Sequence, residues 1–178
     1  MHMLICAIVY ARNEEEALEK GKNIFEELVE RGTFDYFGPP QERWGDIPAV
    51  INIRHPDAKK LIDDAMEKTW KEFKENITVV RKLLDAYTDE EIFEERAKEE
   101  KIGNGNFDPI RIARYYFYCV GQYKGPSVFL YDDDGEGIVT REHLKNVLNK
   151  WKDLPDEWQD DTTYKDSDIW VVPADVHF

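Results

Sequence analysis

The chain has 178 residues, 42% hydrophobic and 13% aromatic, enough apolar material for one packed domain. Its formal charge of −14 excludes recognition of nucleic acid through the phosphate backbone, which needs clustered Lys and Arg, and disfavours anionic membrane surfaces. Solubility is the simplest use of such a charge; a cation, a basic partner or mimicry of nucleic-acid phosphates would use it too.

The first predicted element is "MLICAIVYA", a short apolar run that reads as a buried strand. It is too short to span a bilayer and has no basic leader or cleavage site. Asn13 then caps the helix "NEEEALEKGKNIFEELVERG", with Glu16 at the third helical position as in a capping box and Gly32 as the stop. Leu18, Ile24, Phe25, Leu28 and Val29 form one apolar stripe, as expected of a helix lying on a sheet. The aromatic stretch "TFDYFGPPQERWGDIP" is irregular, with a short strand at Phe34 to Phe37, and "AVINIR", residues 49 to 54, reads as another strand.

Pro56 opens the longest periodic segment. Ile62, Met66, Trp70, Phe73, Ile77, Val80, Leu84 and Tyr87 recur every three or four residues. This predicts a continuous helix of about 46 Å at 1.5 Å per residue. Packing against the sheet and the next helix explains its seam, and a coiled-coil dimer is the alternative. Thr88 and Glu91 make a second capping box, opening "DEEIFEERAKEE", which "GNGN" at 103 to 106 ends. That loop lacks the Lys-Ser/Thr of a phosphate-binding loop. Residues 109 to 120 fit either a strand of a Gly/Pro-linked pair or a helix started at Asp108-Pro109. "TREHLKNVLNKW" is a helix capped by Thr140, with Leu144, Val147, Leu148 and Trp151 on one face. An acidic loop over about 152 to 168 leads to the closing strand "IWVVPADVHF". The order predicts an α+β fold with a ferredoxin-like antiparallel sheet covered by helices. It is read as one domain over 1 to 178, with a helical insertion around 56 to 102.

The candidate metal site is "DDDGEGIVTREH", which resembles an EF-hand calcium loop over its twelve residues. Asp132, Asp134 and Glu136 take the first three ligand positions, Gly137 the sharp turn, and Ile138 and Thr140 later ones. The resemblance breaks where a bidentate Glu belongs, because that residue is His143, and the incoming segment reads as a strand. Asp-Gly turn chemistry and a Thr140 helix cap explain the same letters, so the stretch is read as a turn, with calcium binding as the alternative.

The histidines are His2, His55, His143 and His177, in no metal-binding spacing. Asp175 and His177, two apart on a strand, share a face and could hold a metal or transfer a proton. They are read as polar residues at a strand end, the simpler account, and a cleft shared with the aromatics would mark a site instead. His2, in the opening "MHM", is given no role. Cys6 and Cys119 lie in apolar runs and read as buried thiols, with no disulfide or metal-ligand pattern. No hydrolase elbow or dinucleotide fingerprint is present. Phe34, Tyr36, Phe37, Trp44, Tyr115, Tyr116, Phe117 and Tyr118 crowd two short stretches, suited to an interface or a ligand, or equally to a sheet covered on both faces by the protein's own helices.

These readings lead to an expected cytoplasmic, non-enzymatic interaction or structural protein acting as a homodimer, with a protein partner and no cofactor. The alternatives are a small-molecule or metal-dependent enzyme on the open sheet face, a calcium-binding module, and an acidic nucleic-acid mimic. Gln occurs only at 41, 122 and 159 amid abundant Glu and Lys, a bias shared with thermophile proteins.

Overall fold

Two nine-residue strands, β1 (His2–Tyr10) and β5 (Ile169–His177), pair antiparallel along their whole length and form the centre of a mixed sheet. Both are runs of Ile, Val and Ala with their side chains almost wholly buried, the pattern of strands covered on both faces. The computed structural model describes residues 1–93, 128–153 and 164–177. In chain order the remaining elements are α1 (Glu14–Glu30), β2 (Tyr36–Gly38), α2 (Gln41–Trp44), β3 (Ile51–Asn52), α3 (Pro56–Ala86), α4 (Asp89–Phe93), β4 (Leu130–Tyr131) and α5 (Arg141–Asn149). Short 3-10 turns at Lys150–Asp153 and Asp166–Asp168 precede β5.

The chain forms two compact units, one of Met1–Thr69 with Val128–Phe178 and one of Trp70–Ser127. The first carries the sheet, in the order β2-β5-β1-β4, with β3 also on β5. The fold is α+β, as the sequence indicates. The ferredoxin-like arrangement is not confirmed, because β1 and β4 run parallel whereas that plait is antiparallel. A parallel pair requires a long crossover, which the chain between β1 and β4 supplies. In the second unit the described residues are 70–93, which hold the rest of α3 and α4.

Pro173 shows how sequence and sheet agree. Ile169 and His177 direct their carbonyls away from β1, accepting from Ile53 and Asp35 at 2.9 and 2.7 Å. Pro173 shares their parity, so its missing N–H would point to the same side. There it falls between the stretch paired with β3 and the stretch paired with β2, where no strand needs a donor.

Helix α1 is bounded as its sequence requires. The Asn13 side chain accepts from Glu16 N at 2.9 Å, and Glu16 reaches back to Arg12 N at 2.7 Å. The hydrogen bond from Lys20, then that from Arg12 N, holds the Glu16 carboxyl below the usual Glu range. At the other end Gly32 adopts φ +73°, and Gly32 N and Thr33 N donate to Val29 O and Leu28 O. That is the Schellman closure. The buried face is Ala17, Gly21, Ile24, Phe25 and Leu28. Gly21 permits the closest approach: a Cβ there would lie 2.5 Å from Cγ1 of Val172 in β5. Ala58, Ile62, Ala65 and Met66 of α3 join the same core, and Thr69 Oγ1 accepts from Phe129 N at 3.3 Å.

Two expected boundaries shift. The strand expected over 34 to 37 pairs over Tyr36–Gly38. The one expected over 49 to 54 shrinks to Ile51–Asn52, because Asn52 folds the chain into a turn: its side chain accepts from Arg54 N, and its carbonyl from His55 N. The α3 helix runs without a break from Pro56 to Ala86, and the Thr88–Glu91 capping box is formed in both directions. Among the described residues no helix is long and apolar enough to cross a membrane.

Candidate functional site

One row of side chains crosses three strands at the end of the sheet. Register places His2 of β1 opposite His177 of β5, and His177 opposite Tyr36 of β2; the next row is Leu4, Asp175 and Gly38. Alternation puts both rows on the face opposite Val172 and Val176, where α1 lies. Cys6 N donates to Phe129 O, away from β5, and His2 shares that parity. His2 and His177 are therefore a non-hydrogen-bonded cross-strand pair, the kind whose side chains stand closest.

The contacts in this row are specific. His2 Nδ1 lies 2.8 Å from Asp175 Oδ2, and Trp44 Nε1 of α2 donates to Asp175 Oδ1 at 2.8 Å. Arg43 stands 3.5 Å from Asp175 Oδ2. Asp175 is 8% exposed, so a carboxylate has been buried and given three partners. His177 Nδ1 lies 3.1 Å from Asp35 Oδ2, and its Nε2 lies 3.0 Å from the Met1 nitrogen. The His2 and His177 rings are 5.0 Å apart, centroid to centroid. Tyr36 stacks on His177 at 5.0 Å and 8°, with its hydroxyl 3.5 Å from His2 Nε2.

Both imidazoles thus have Nδ1 against a carboxylate. That contact favours the tautomer with hydrogen on Nδ1 and a lone pair on Nε2. Such a pair can accept a proton, bind a hydrogen-bond donor or ligate an ion. The Asp175 and His177 side chains of the sequence reading do share a face. Each, however, is partnered by a residue from elsewhere in the chain rather than by the other. His2 went unassigned at the sequence level, because its only signal is its register with His177, which lies 175 residues away.

The acidic loop is built differently. Asp132 Oδ1 accepts from Asp134 N and Glu136 N at 3.0 and 2.9 Å, and its Oδ2 meets His143 Nε2 at 3.2 Å. Asp132 N donates to Glu136 O, and Tyr131 pairs with Gly137, so the stretch is a tight hairpin leading to the Thr140-capped α5. The residue with positive φ is Gly135, at +73°, not the Gly137 of the calcium-loop pattern. Gly137 instead lies against Val128, whose Cγ1 would be 2.9 Å from an added Cβ.

Of the expected ligands, Asp132 and Asp134 come together with Asp133, while Glu136 stands 3.7 Å from Arg31. Lys150 approaches Asp133 at 3.0 Å and Asp134 at 3.7 Å. Partial burial opposes the Lys150 charge. The hydrogen bond to Asp133 and the charges of Asp133, Asp134 and Asp132 outweigh that, and its pKa is raised. The cluster already holds a cation, an ammonium that the sequence pattern did not reveal.

Cys6 is a buried free thiol, and burial pushes its pKa up to about 12, so it is no nucleophile. Cys119, the loop at 103 to 106, the open assignment at 109 to 120 and the aromatics at 115 to 118 lie outside the described residues. Over residues 1–178 the sequence matches the model of a family described as a domain of unknown function, DUF7995, and the chain belongs to that family. No curated protein and no solved structure matches it.

Proposed function

We propose that this chain is a small-ligand-binding protein whose site is the polar end of the sheet face at His2, Tyr36, Asp175 and His177. The observation that carries the reading is the meeting of two His–carboxylate pairs, His2–Asp175 and His177–Asp35, at one end of the sheet, with the two imidazoles directly opposite each other on β1 and β5. Burying Asp175 costs free energy that an apolar residue would have avoided, so fold stability alone is a poor reason for it. The arrangement holds an imidazole, 24% exposed at its side chain, in one tautomer beside a half-exposed tyrosine. It suits binding, and proton transfer through His2 on a bound small molecule.

The test is thermal unfolding against a panel of metabolites, run on the wild type and on a His2→Ala/His177→Ala variant. A ligand at 100 times its dissociation constant adds about 2.7 kcal/mol, or roughly 5–10 °C for a domain of this size. The expected result is at least one shift in the wild type that the double variant lacks. Shifts retained by the variant, or none at all, defeat the reading.

A second reading, association with a second copy of the chain, is supported by Trp70, Leu84 and Phe93, which are 61%, 42% and 86% exposed. It expects a dimer mass by light scattering that Trp70→Glu with Phe93→Glu returns to monomer. A monomeric wild type ends it.

A further inference from the structure

We propose, building on the ligand-site reading above, that this face takes a divalent transition-metal ion of the Zn2+, Co2+ or Ni2+ class. Nε2 of His2 and Nε2 of His177 are its protein ligands. The spacing of the two rings fits a shared ion. Two imidazoles on one tetrahedral ion, at about 2.0–2.1 Å per bond, stand roughly 5 Å apart centroid to centroid. The His2 and His177 rings are 5.0 Å apart, held there by their place as a non-hydrogen-bonded cross-strand pair.

The groups behind the two rings fit as well. Metal-binding histidines almost always give their other ring N–H to a carboxylate or carbonyl, which fixes tautomer and ring plane. Here both do: His2 Nδ1 to Asp175 at 2.8 Å and His177 Nδ1 to Asp35 at 3.1 Å. Asp175 is itself fixed by Trp44 Nε1 at 2.8 Å. The Asp175 and Asp35 carboxylates put negative charge behind both imidazoles, part of it already met by Arg43, 3.5 Å from Asp175.

Two polar groups border the ligand nitrogens. The Tyr36 hydroxyl lies 3.5 Å from His2 Nε2, and the Met1 nitrogen 3.0 Å from His177 Nε2. Both are contacts that an ion would replace, and water completes its coordination. Imidazole ligands favour Zn2+, Co2+ and Ni2+ over Ca2+ and Mg2+, which want oxygen. The ion sought here is therefore of another class from that of the acidic loop.

The experiment uses untagged, metal-free protein, titrated with Zn2+ by calorimetry and followed by long-range 1H–15N spectra of the histidine rings. One equivalent of Zn2+ is expected to shift Nε2 of His2 and His177, while Ca2+ leaves both unmoved. His2→Ala or His177→Ala weakens binding about tenfold or more, and Asp35→Asn about 10–100-fold, as loss of an outer partner does. Asp35 is 67% exposed at its side chain, so that variant folds. His55→Ala and His143→Ala are expected to change nothing. Zn2+ binding that survives His2→Ala/His177→Ala, or that moves only His143, overturns the proposal. If Zn2+ fails but an organic ligand still acts through His2 and His177 in the presence of chelator, the metal is wrong and the ligand site stands. If neither binds, both readings fall.

Discussion

Asp132 does at the scale of one side chain what its sequence motif assigns to an ion. Its carboxylate gathers Asp134 N, Glu136 N and His143, closing the loop with groups from the chain itself. Removing it leaves those partners unsatisfied, so Asp132→Ala is expected to cost about 1–3 kcal/mol in urea unfolding. Asp134, 76% exposed at its side chain, should be replaceable by Ala within about 0.5 kcal/mol. Both differences are expected to be the same in calcium and in chelator. A calcium-dependent gain in the wild type, lost in both variants, would make the loop a calcium site after all. The sequence showed the oxygen-rich turn but not its Lys150 counter-charge, because nothing in the local spacing encodes a contact made across the fold.

At the scale of elements, the packing of α1 on β5 depends on a residue that the apolar stripe omits. Leu18, Ile24, Phe25, Leu28 and Val29 were legible from their period, and Ile24, Phe25 and Leu28 are buried, with Leu18 and Val29 packed at the margin. Gly21 carries no hydrophobic signal, yet it is what lets the helix approach Val172. Gly21→Ala would raise intrinsic helix propensity and still destabilise, since the new methyl overlaps a buried valine. The expected cost is about 1–3 kcal/mol, read as a fall of several degrees in Tm. An unchanged or raised Tm would mean that α1 can shift outward freely. The caps at Asn13, Thr88 and Thr140 were readable because a cap bonds only to residues three or four positions away.

At the scale of the whole molecule, Cys6 reports on the sheet. It is 2% exposed on β1, between β4 and β5. Desolvation by burial is the largest cause of its raised pKa of about 12, against an ordinary 9.0. A thiol raised in this way contributes its stability fully below the unfolded pKa, and that contribution is lost as pH rises from there toward the folded value. Stability is therefore expected to decline above about pH 9. In a Cys119→Ser background, thiol labelling of Cys6 at pH 8 should occur only through opening of the sheet. Its urea dependence should then match that of global unfolding. Labelling as fast as a free peptide thiol would contradict that burial.

Sequence by itself determined the α+β class, the two long apolar strands, the caps, the unbroken α3 helix and the acidic turn. Each rests on periodicity or on bonds spanning a few residues. Only the tertiary structure decided that β1 runs parallel to β4, that Pro173 faces a gap between two short strands, and that His2, His177 and Tyr36 form one row with Asp175 in the row beside it. Those outcomes depend on strand register between distant segments, and a register shift of one residue would send every one of these side chains to the other face.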